Sequence, residues 1–276
     1  ILKLATHLYR HTTGSTATLY QYVYGVHRFF KWLGKEPDEF LLESLNNSAD
    51  GISEAIDEFT GDLKAEGLAP GTIANHVKGV KALLKVNRVQ LALPYKVDRR
   101  IKYSDRAPTP KELERIIDLG DIREKTIITI LALSGMRVGT FVRLEYRHVK
   151  KDLEAGVIPV HIHVEADITK GKYHDYDTFI GHEAVAYLKA YLEARRNGTW
   201  HMPAEEICEG SPLIRDQHSK KVRRVSPACI HRLIHKLYAK AGLIDLRKGD
   251  RRYTLRPRSR KYFRTQLGSL GTIPTD

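Results

Sequence analysis

Three groups of basic side chains in this sequence could together bind a phosphate. Arg137 follows the apolar run IITILAL at 127–133, Lys170 flanks a glycine in a stretch of alternating polarity, and arginines recur between 215 and 264. A guanidinium beside a buried helix is costly unless an anion meets it. Taken alone, Arg137 could equally cap a helix or form a structural ion pair. The three groups together favour an anionic ligand, because arginine and lysine are the side chains that suit a phosphate.

The charge of the chain supports the same conclusion. Its 276 residues carry a formal net charge of +13 and the pI is near 9.6, which favours an anionic partner such as nucleic acid. Residues 1–103 contain 14 basic and 11 acidic residues, whereas residues 215–264 contain 17 basic and three acidic ones. The positive excess therefore lies towards the C-terminus.

Composition excludes several classes of protein. Hydrophobic residues at 42% and charged residues at 29% are values of a globular protein. Cys208 and Cys229 are too few for a disulfide framework and form no metal-binding pair, which predicts a reducing cytoplasm. No signal peptide is present, and the apolar run at 127–133 is far shorter than the ~20 residues of a membrane span. We therefore expect a soluble cytoplasmic protein.

Two further features concern the origin of the chain. The sequence holds only four Gln, five Asn, two Cys and two Met, and this scarcity of labile residues indicates a thermophilic source. It begins with Ile1, which suggests a fragment of a longer protein.

The N-terminal part is predicted to be helical. Apolar residues recur at helical spacing over 15–33, 53–66 and 72–86, and Gly34 and Gly67 follow the first two segments. The third helix has a polar face that includes Lys78 and Lys81. That lysine row could be a solvated surface or a contact to an anion.

A basic linker and a second helical region come next. Residues 94–108 are rich in proline and include Arg99 and Arg100, which is typical of an extended linker that is either solvated or lies along a phosphate backbone. Thr109 and Pro110 then open a helix as its cap and first residue. Residues 125–133 form the apolar helix that leads to Arg137.

A small β-structure is predicted after it. Residues 157–164 alternate in polarity and form a strand, with His161 and His163 on one face. A metal pair would need a third ligand that the spacing does not supply, so a structural role is favoured. Residues 167–180 predict two strands joined by a turn at Gly171. Lys170 and Lys172 flank this turn, either as solvent-exposed residues or as groups that reach into a cleft.

The C-terminal part combines helices with arginine-rich segments. Helices are predicted over 182–196 and 227–241. The run KKVRR precedes the second helix and contains Arg223 and Arg224. Residues 251–267 contain Arg258 and Arg260 in the sequence RRYTLRPRSRKYFRTQL.

Three of these segments, in order, resemble motifs of the tyrosine recombinase or phage-type integrase family. SGMRVGTFVRL at 134–144 is similar to its first arginine box, TKGK at 169–172 to its hairpin lysine, and RPRSRKYFRTQL at 256–267 to its second arginine box. The run RKYFRTQ resembles archaeal integrases of viral or plasmid mobile elements in particular. The resemblance extends over nearly the whole chain.

The resemblance implies roles for individual residues. Arg137 and Arg260 would clamp the non-bridging oxygens of a phosphodiester, with Arg258 as a reserve for the second arginine. Lys170, with Lys172 as its reserve, would protonate the leaving oxygen while a tyrosine forms a 3′-phosphotyrosine. No metal or other cofactor is required. The implied contacts to double-stranded DNA are Lys78, Lys81, Arg99, Arg100, Arg223 and Arg224.

The sequence departs from the family at two places. Pro257 occupies the position of the usual histidine, and no tyrosine follows Tyr262 to act as the nucleophile. Tyr262 itself is expected to pack within a helix. The catalytic domain is thus expected to be truncated and this chain to be inactive as it stands. Three functions remain open: a site-specific recombinase, a non-catalytic DNA-binding derivative, and a type IB topoisomerase.

The resemblance also implies the architecture. We expect a mainly α-helical protein with a small antiparallel β-sheet, in which two domains clamp duplex DNA. The helical core-binding domain would span 1–93, the basic linker 94–108 and the α+β catalytic domain 109–276. Such enzymes act as homotetramers on paired sites, here in the cytoplasm of a cell that hosts a virus or plasmid.

Overall fold

The chain divides into two compact units, Ile1–Tyr103 and Ser104–Asp276. The structure, a computed structural model, describes residues 1–11, 15–46, 49–91, 93, 97–98, 107–200, 202–244 and 259–270. Each unit has its own cluster of buried hydrophobic side chains. The predicted fold class, mainly α-helical with a small antiparallel sheet, is confirmed.

The N-terminal unit is helical throughout its described part. Its helices are α1 (Leu2–His11), α2 (Thr16–Leu33), α3 (Pro37–Asn46), α4 (Ala49–Ala65) and α5 (Pro70–Val86). The Ser15 side chain caps α2 by accepting a hydrogen bond from the Thr18 backbone N–H, and Gly34 ends the helix in the left-handed conformation. Both signals were present in the sequence.

Helix α4 begins one turn earlier than predicted. A helix predicted over 53–66 would have Ser53 at its start, but Ser53 lies inside α4. The buried residues Ile52, Ile56, Phe59 and Leu63 form one stripe with helical spacing, and the first of them precedes Ser53. Burial of this complete stripe outweighs the preference of a serine for the cap position.

Helices α2 and α5 pack closely through two glycines. A Cβ atom on Gly25 would lie 2.7 Å from the carbonyl oxygen of His76, and one on Gly79 would lie 2.5 Å from that of Tyr22. Each helix therefore supplies one glycine against the backbone of the other. This contact fixes α5 and leaves Lys78 and Lys81 on its exposed side.

The C-terminal unit combines helices with a two-stranded sheet. Its elements are α6 (Pro110–Asp118), α7 (Ile122–Ser134), α8 (Val138–Phe141), α9 (Arg147–Ala155), β1 (Val160–Val164), a 3-10 turn (Ala166–Ile168), β2 (Tyr176–Ile180), α10 (His182–Asn197), α11 (Pro227–Lys240) and α12 (Ser259–Ser269). Thr109 caps α6 as predicted, in a capping box with Glu112. Helix α7 is buried on most of its circumference, which explains its apolar sequence.

The predicted β-structure is partly wrong. Strand β1 begins at Val160 rather than at 157, because Pro159 has no N–H to donate to a partner strand. Residues 167–180 do not form two strands: only β2 is extended, and it pairs antiparallel with β1 in the register Val160↔Ile180. The side chain of Ile168 is buried in the core, which holds residues 166–168 as a 3-10 turn instead of a strand.

Three charged side chains are buried together in this unit. Arg195 and Arg215 are at most 1% exposed, and both guanidinium groups contact the carboxylate of Glu205. Arg195 also donates to the carbonyls of Pro212 and Leu213 at 2.8 and 3.0 Å. No sequence pattern predicts this cluster, because these residues have the same types as surface residues. It fastens the long segment between α10 and α11 to α10.

Candidate active site

Arg137 lies at the junction of α7 and α8. Helix α7 ends at Gly135, which adopts the left-handed conformation with φ 64°, and Arg137 occupies the N-cap position of α8. Its carbonyl oxygen accepts from the N–H groups of Thr140 and Phe141, both at 2.9 Å. The Arg137 side chain is exposed, so the expected cost of burying it does not arise. The backbone is fixed while the guanidinium remains accessible.

Arg260 is held near this junction by a contact between α7 and α12. A Cβ atom on Gly135 would lie 2.4 Å from the Phe263 ring, so only glycine allows that ring to pack there. Arg260 precedes Phe263 by one turn of α12 and is also exposed. Gly135, in the segment of Arg137, therefore packs against Phe263, in the segment of Arg260.

Tyr176 is a half-buried tyrosine that experiences the charge of both arginines. Burial raises the pKa of Tyr176, whereas the Thr140 hydroxyl and the positive charges of Arg260 and Arg137 act to lower it. Tyr176 shares a face of β2 with Thr178, whose hydroxyl donates to the Ser134 carbonyl at 2.9 Å. This bond ties β2 to the end of α7, the helix that leads to Arg137.

Sequence reasoning missed Tyr176 and Thr140. The signal for Thr140 was its position three residues after Arg137, on the first turn of α8. The position of Tyr176 depends on the pairing of β2 with β1. The two strands predicted over 167–180 did not include this pairing, so they did not show which residues lie beside Tyr176.

Lys170 lies in the connection between β1 and β2. Its neighbour Thr169 is buried and donates its hydroxyl to the Ala166 carbonyl at 2.8 Å. The turn itself is as predicted, with Gly171 at φ 99° and Lys172 at φ 56°. Both lysine side chains are exposed. Within the described ranges, no ion pair with a carboxylate involves Arg137, Lys170 or Arg260.

The start of this connection is held by an ion-pair network. Glu165 accepts from Arg147 at 2.5 Å and from the Nε2 of His148 at 2.8 Å. Burial alone would raise the pKa of Glu165, but these hydrogen bonds and charges outweigh it and lower that pKa to about 2. Arg147 also donates to Glu145, whose other oxygen contacts Arg224.

The predicted DNA-contacting residues have different surroundings. Lys78 lies over the Tyr22 ring at 5.8 Å, and Lys81 is exposed on the same helix. Arg223 donates twice to Asp216, at 2.9 and 2.6 Å, and Arg224 contacts Glu145. Both arginines remain about half exposed or more, at 65% and 48%. Arg99, Arg100, Arg258 and Pro257 lie outside the described residues.

The two strand histidines contact aspartates. The Oδ1 of Asp177 lies 2.7 Å from His161 Nε2 and 2.9 Å from His163 Nδ1, and Asp175 lies 3.3 Å from His163 Nε2. The hydrogen bond with Asp177 raises the pKa of His163. In the part of the chain that the structure describes, no group of three or more His, Cys, Asp or Glu side chains could hold a metal ion.

Tyr262 is buried in the core, which agrees with its expected packing role. It is 8% exposed and lies against Ile128, Leu131 and Tyr238 around a small apolar cavity. Burial raises the pKa of Tyr262.

None of the described helices is long and apolar enough to cross a membrane.

The chain shares its fold with solved structures of DNA integrases. A lambda integrase fragment (75–356), solved as a dimer bound to a COC′ core site, matches with a TM-score of 0.63 at 12% identity, over 97% of this chain and 84% of that chain. The Tn1549 transposon integrase (82–397), in complex with circular intermediate DNA, matches with a TM-score of 0.62 at 15% identity, over 99% and 87%. At such identities the likeness concerns the fold.

A third solved structure is more distant. The XerH site-specific recombinase, bound to its difH substrate in a pre-cleavage complex, matches with a TM-score of 0.53 at 16% identity, over 82% of this chain and 61% of that chain. No family model matches the sequence, and no curated protein matches it.

Proposed function

We propose that the protein cuts and rejoins double-stranded DNA at specific sites through a 3′-phosphotyrosine intermediate. The observation that carries the proposal is the contact of Gly135 with Phe263, which links the segment of the exposed Arg137 to that of the exposed Arg260, within a fold shared with integrases solved on DNA. Two exposed guanidinium groups on segments that are packed together favour an anion as their ligand. A phosphodiester supplies that anion.

The chemistry assigns one task to each group. A tyrosine oxygen attacks the phosphorus and forms a phosphotyrosine, the bond from phosphorus to the 5′-oxygen breaks, and the phenol proton leaves to solvent. Lys170 gives its proton to the departing 5′-oxygen, and Arg137 and Arg260 neutralise charge on the non-bridging oxygens. One phosphoester replaces another, so the reverse attack by a 5′-hydroxyl rejoins a strand without a cofactor. The resemblance places the attacking tyrosine after Tyr262, where this sequence has none, so we expect these residues to cleave DNA only in a form of the protein that supplies that tyrosine.

The biological setting follows from this chemistry. A strand that is rejoined to a different partner integrates or excises a mobile genetic element, and four active sites are needed for two duplexes. We therefore propose a homotetramer on paired sites. The resemblance of RKYFRTQ to archaeal integrases leads us to propose an origin in an archaeal virus or plasmid. The helical domain at 1–93, the linker at 94–108 and the catalytic domain at 109–276 would enclose the duplex. Lys78, Lys81, Arg99, Arg100, Arg223 and Arg224 would contact its backbone.

A covalent adduct tests the proposal. Duplexes that bind the protein are first selected from a randomised library, and then nicked near the bound site so that cleavage releases a short strand and cannot reverse. From a form of the protein that supplies the attacking tyrosine, we expect a protein–DNA adduct that survives detergent. Arg137→Ala or Arg260→Ala should reduce its rate by at least about a hundredfold, whereas Lys189→Gln, which removes an exposed charge on α10, should not.

Other outcomes would select other functions. Specific binding without any adduct would identify a non-catalytic DNA-binding protein. An adduct accompanied by relaxation of supercoiled plasmid, without exchange between two sites, would identify a topoisomerase.

A further inference from the structure

Arg143 contacts the loop that carries Lys170. Its Nη1 donates to the carbonyl oxygen of Ile168 at 3.2 Å, and Ile168 precedes Lys170 by two residues. Arg143 lies six residues after Arg137, in the turn that follows α8. A single side chain therefore links the segment of the first arginine to the loop of the lysine.

The backbone on the arginine side of this contact is firmly fixed. Val142 and Leu144, on either side of Arg143, are 6% and 0% exposed. The Arg143 N–H donates to the Thr140 carbonyl, and the Leu144 carbonyl accepts from the Leu213 N–H at 2.8 Å. Movement of this segment would disrupt the core. The backbone of Arg143 is thus fixed, and its side chain can hold the loop that carries Lys170.

The loop is less well anchored around Lys170 than at its start and at Asp175. Its first residues are held by Glu165, by the side chain of Ile168 and by the Ala166 N–H, which donates to Asp175 at 2.6 Å. By contrast, Lys170 and residues 172–175 are all exposed. The Ile168 carbonyl is the last fixed point before the lysine, apart from the internal bonds of Thr169.

From this geometry we infer that Arg143 is a positioning residue that holds Lys170 for proton transfer. The inference rests on the proposed function, in which Lys170 protonates the leaving 5′-oxygen. A general acid must lie within hydrogen-bonding distance of the atom that it protonates, and a misplacement of about 1 Å can cost about a hundredfold in rate. Arg143 acts on the loop backbone and does not itself touch the phosphate.

A sulfur substitution separates this role from a direct one. When the bridging 5′-oxygen of the scissile phosphate is replaced by sulfur, the leaving group is a thiolate, which is stable near neutral pH without a proton because a thiol has a pKa of about 8.5. Cleavage of that substrate needs no general acid. A variant that fails only in proton transfer should regain its activity, whereas a variant that fails in phosphate binding should not.

The experiment compares Arg143→Gln with Lys170→Ala on both nicked duplexes. On the oxygen substrate we expect Arg143→Gln to be slower by about 10- to 100-fold, and on the sulfur substrate to equal the wild type within about twofold. The double variant should be no slower than Lys170→Ala alone. Arg137→Ala should stay slow on both substrates, Lys189→Gln should match the wild type, and Arg143→Lys should recover part of the rate.

Two results of the cleavage experiment would overturn the inference. One is an equal loss for Arg143→Gln on both substrates, which would show that Arg143 acts on the phosphate or on the fold. The other is an additive loss in the double variant. Amide hydrogen exchange over 169–175 gives a readout that needs no cleavage: Arg143→Gln should speed exchange there, and unchanged exchange would also overturn the inference. A wild type that cleaves neither substrate would refute the proposed function. Hydrogen exchange would still show whether the contact of Arg143 with the Ile168 carbonyl holds the loop.

Discussion

At the scale of residues, the important feature is that the predicted catalytic side chains are exposed on fixed backbone. Arg137 is an N-cap residue between buried neighbours, with Met136 at 1% exposure and Phe141 at 0%. Structural arginines of the same unit are treated differently, since Arg195 and Arg215 are buried on Glu205. The sequence alone could not separate these two kinds of arginine. The local motifs predict a catalytic role for Arg137 and Arg260, whereas the burial of Arg195 and Arg215 is evident only in the packed structure.

Tyr176 offers a test at this scale. Because burial raises its pKa, it stays protonated at neutral pH and is suited to donate a hydrogen bond rather than to attack phosphorus. Tyr176→Phe should therefore still form the covalent adduct, at a rate reduced by no more than about tenfold, the value of one hydrogen bond. Adduct formation is followed on a denaturing gel. Complete loss of the adduct in a folded Tyr176→Phe protein would instead identify Tyr176 as the nucleophile.

Glu165 predicts a dependence of stability on pH. Its pKa is lowered to about 2 in the folded protein, below the ordinary value of 4.5, so its contribution to stability is present above pH 4.5 and is lost as the pH falls towards 2. Glu165→Gln should lower the free energy of unfolding by about 1 kcal/mol at pH 7. Urea unfolding at several pH values measures this difference, which should shrink below pH 4.5. Glu193→Gln on α10 is the exposed control. If the difference in the free energy of unfolding between Glu165→Gln and the wild type does not change with pH, the ion pairs of Glu165 do not stabilise the fold as proposed.

At the scale of elements, the junction of α7 with α12 brings the arginines together. Gly135→Ala introduces a Cβ 2.4 Å from the Phe263 ring and also strains a residue at φ 64°. Gly156 at the end of α9 has φ 71° and no atom within 4 Å of its Cβ position, so Gly156→Ala carries only the backbone strain. We expect losses of about 1 kcal/mol for Gly156→Ala and about 2–4 kcal/mol for Gly135→Ala.

The same pair of variants separates packing from activity. Only Gly135→Ala should also reduce adduct formation, because it displaces α12 and with it Arg260. Adding Phe263→Ala should restore part of the adduct formation, because the smaller side chain leaves space for the new Cβ atom. Equal stability and activity of the two alanine variants, measured by urea unfolding and by adduct yield, would contradict this role of the contact.

The elements also show where sequence reasoning succeeded and where it failed. Caps and glycine stops are local, so the bounds of α2 and the start of α6 agreed with prediction. The error at 167–180 arose because burial of Ile168 and the pairing of β2 with β1 depend on residues far away in the chain. The Lys170 turn was found correctly, but its supports, Arg143 and the Glu165 network, were not. These supports are contacts between segments, which no local pattern records.

At the scale of the whole molecule, the net charge of +13 predicts binding that depends on salt. If Lys78 and Lys81 contact phosphates, Lys78→Gln and Lys81→Gln should each weaken binding to all sequences alike. Each should also reduce the slope of log affinity against log salt by about 1. Lys64→Gln, an exposed lysine on α4, is the control. Filter binding at several salt concentrations measures the slopes, and unchanged slopes would remove these lysines from the contact surface.

The central claim is that Arg137 and Arg260 neutralise the charge of one scissile phosphate, and a neutral phosphate tests it most directly. Replacing a non-bridging oxygen by a methyl group removes that charge, and with it the need for a guanidinium. We therefore measure the adduct yield of Arg137→Ala and Arg260→Ala on a duplex with this methylphosphonate at the cleavage site. If the two arginines neutralise this charge, at least one of the variants that are defective on normal DNA should form the adduct again on the neutral substrate. Equal defects on both substrates, or no adduct from the unaltered protein on either, would contradict it.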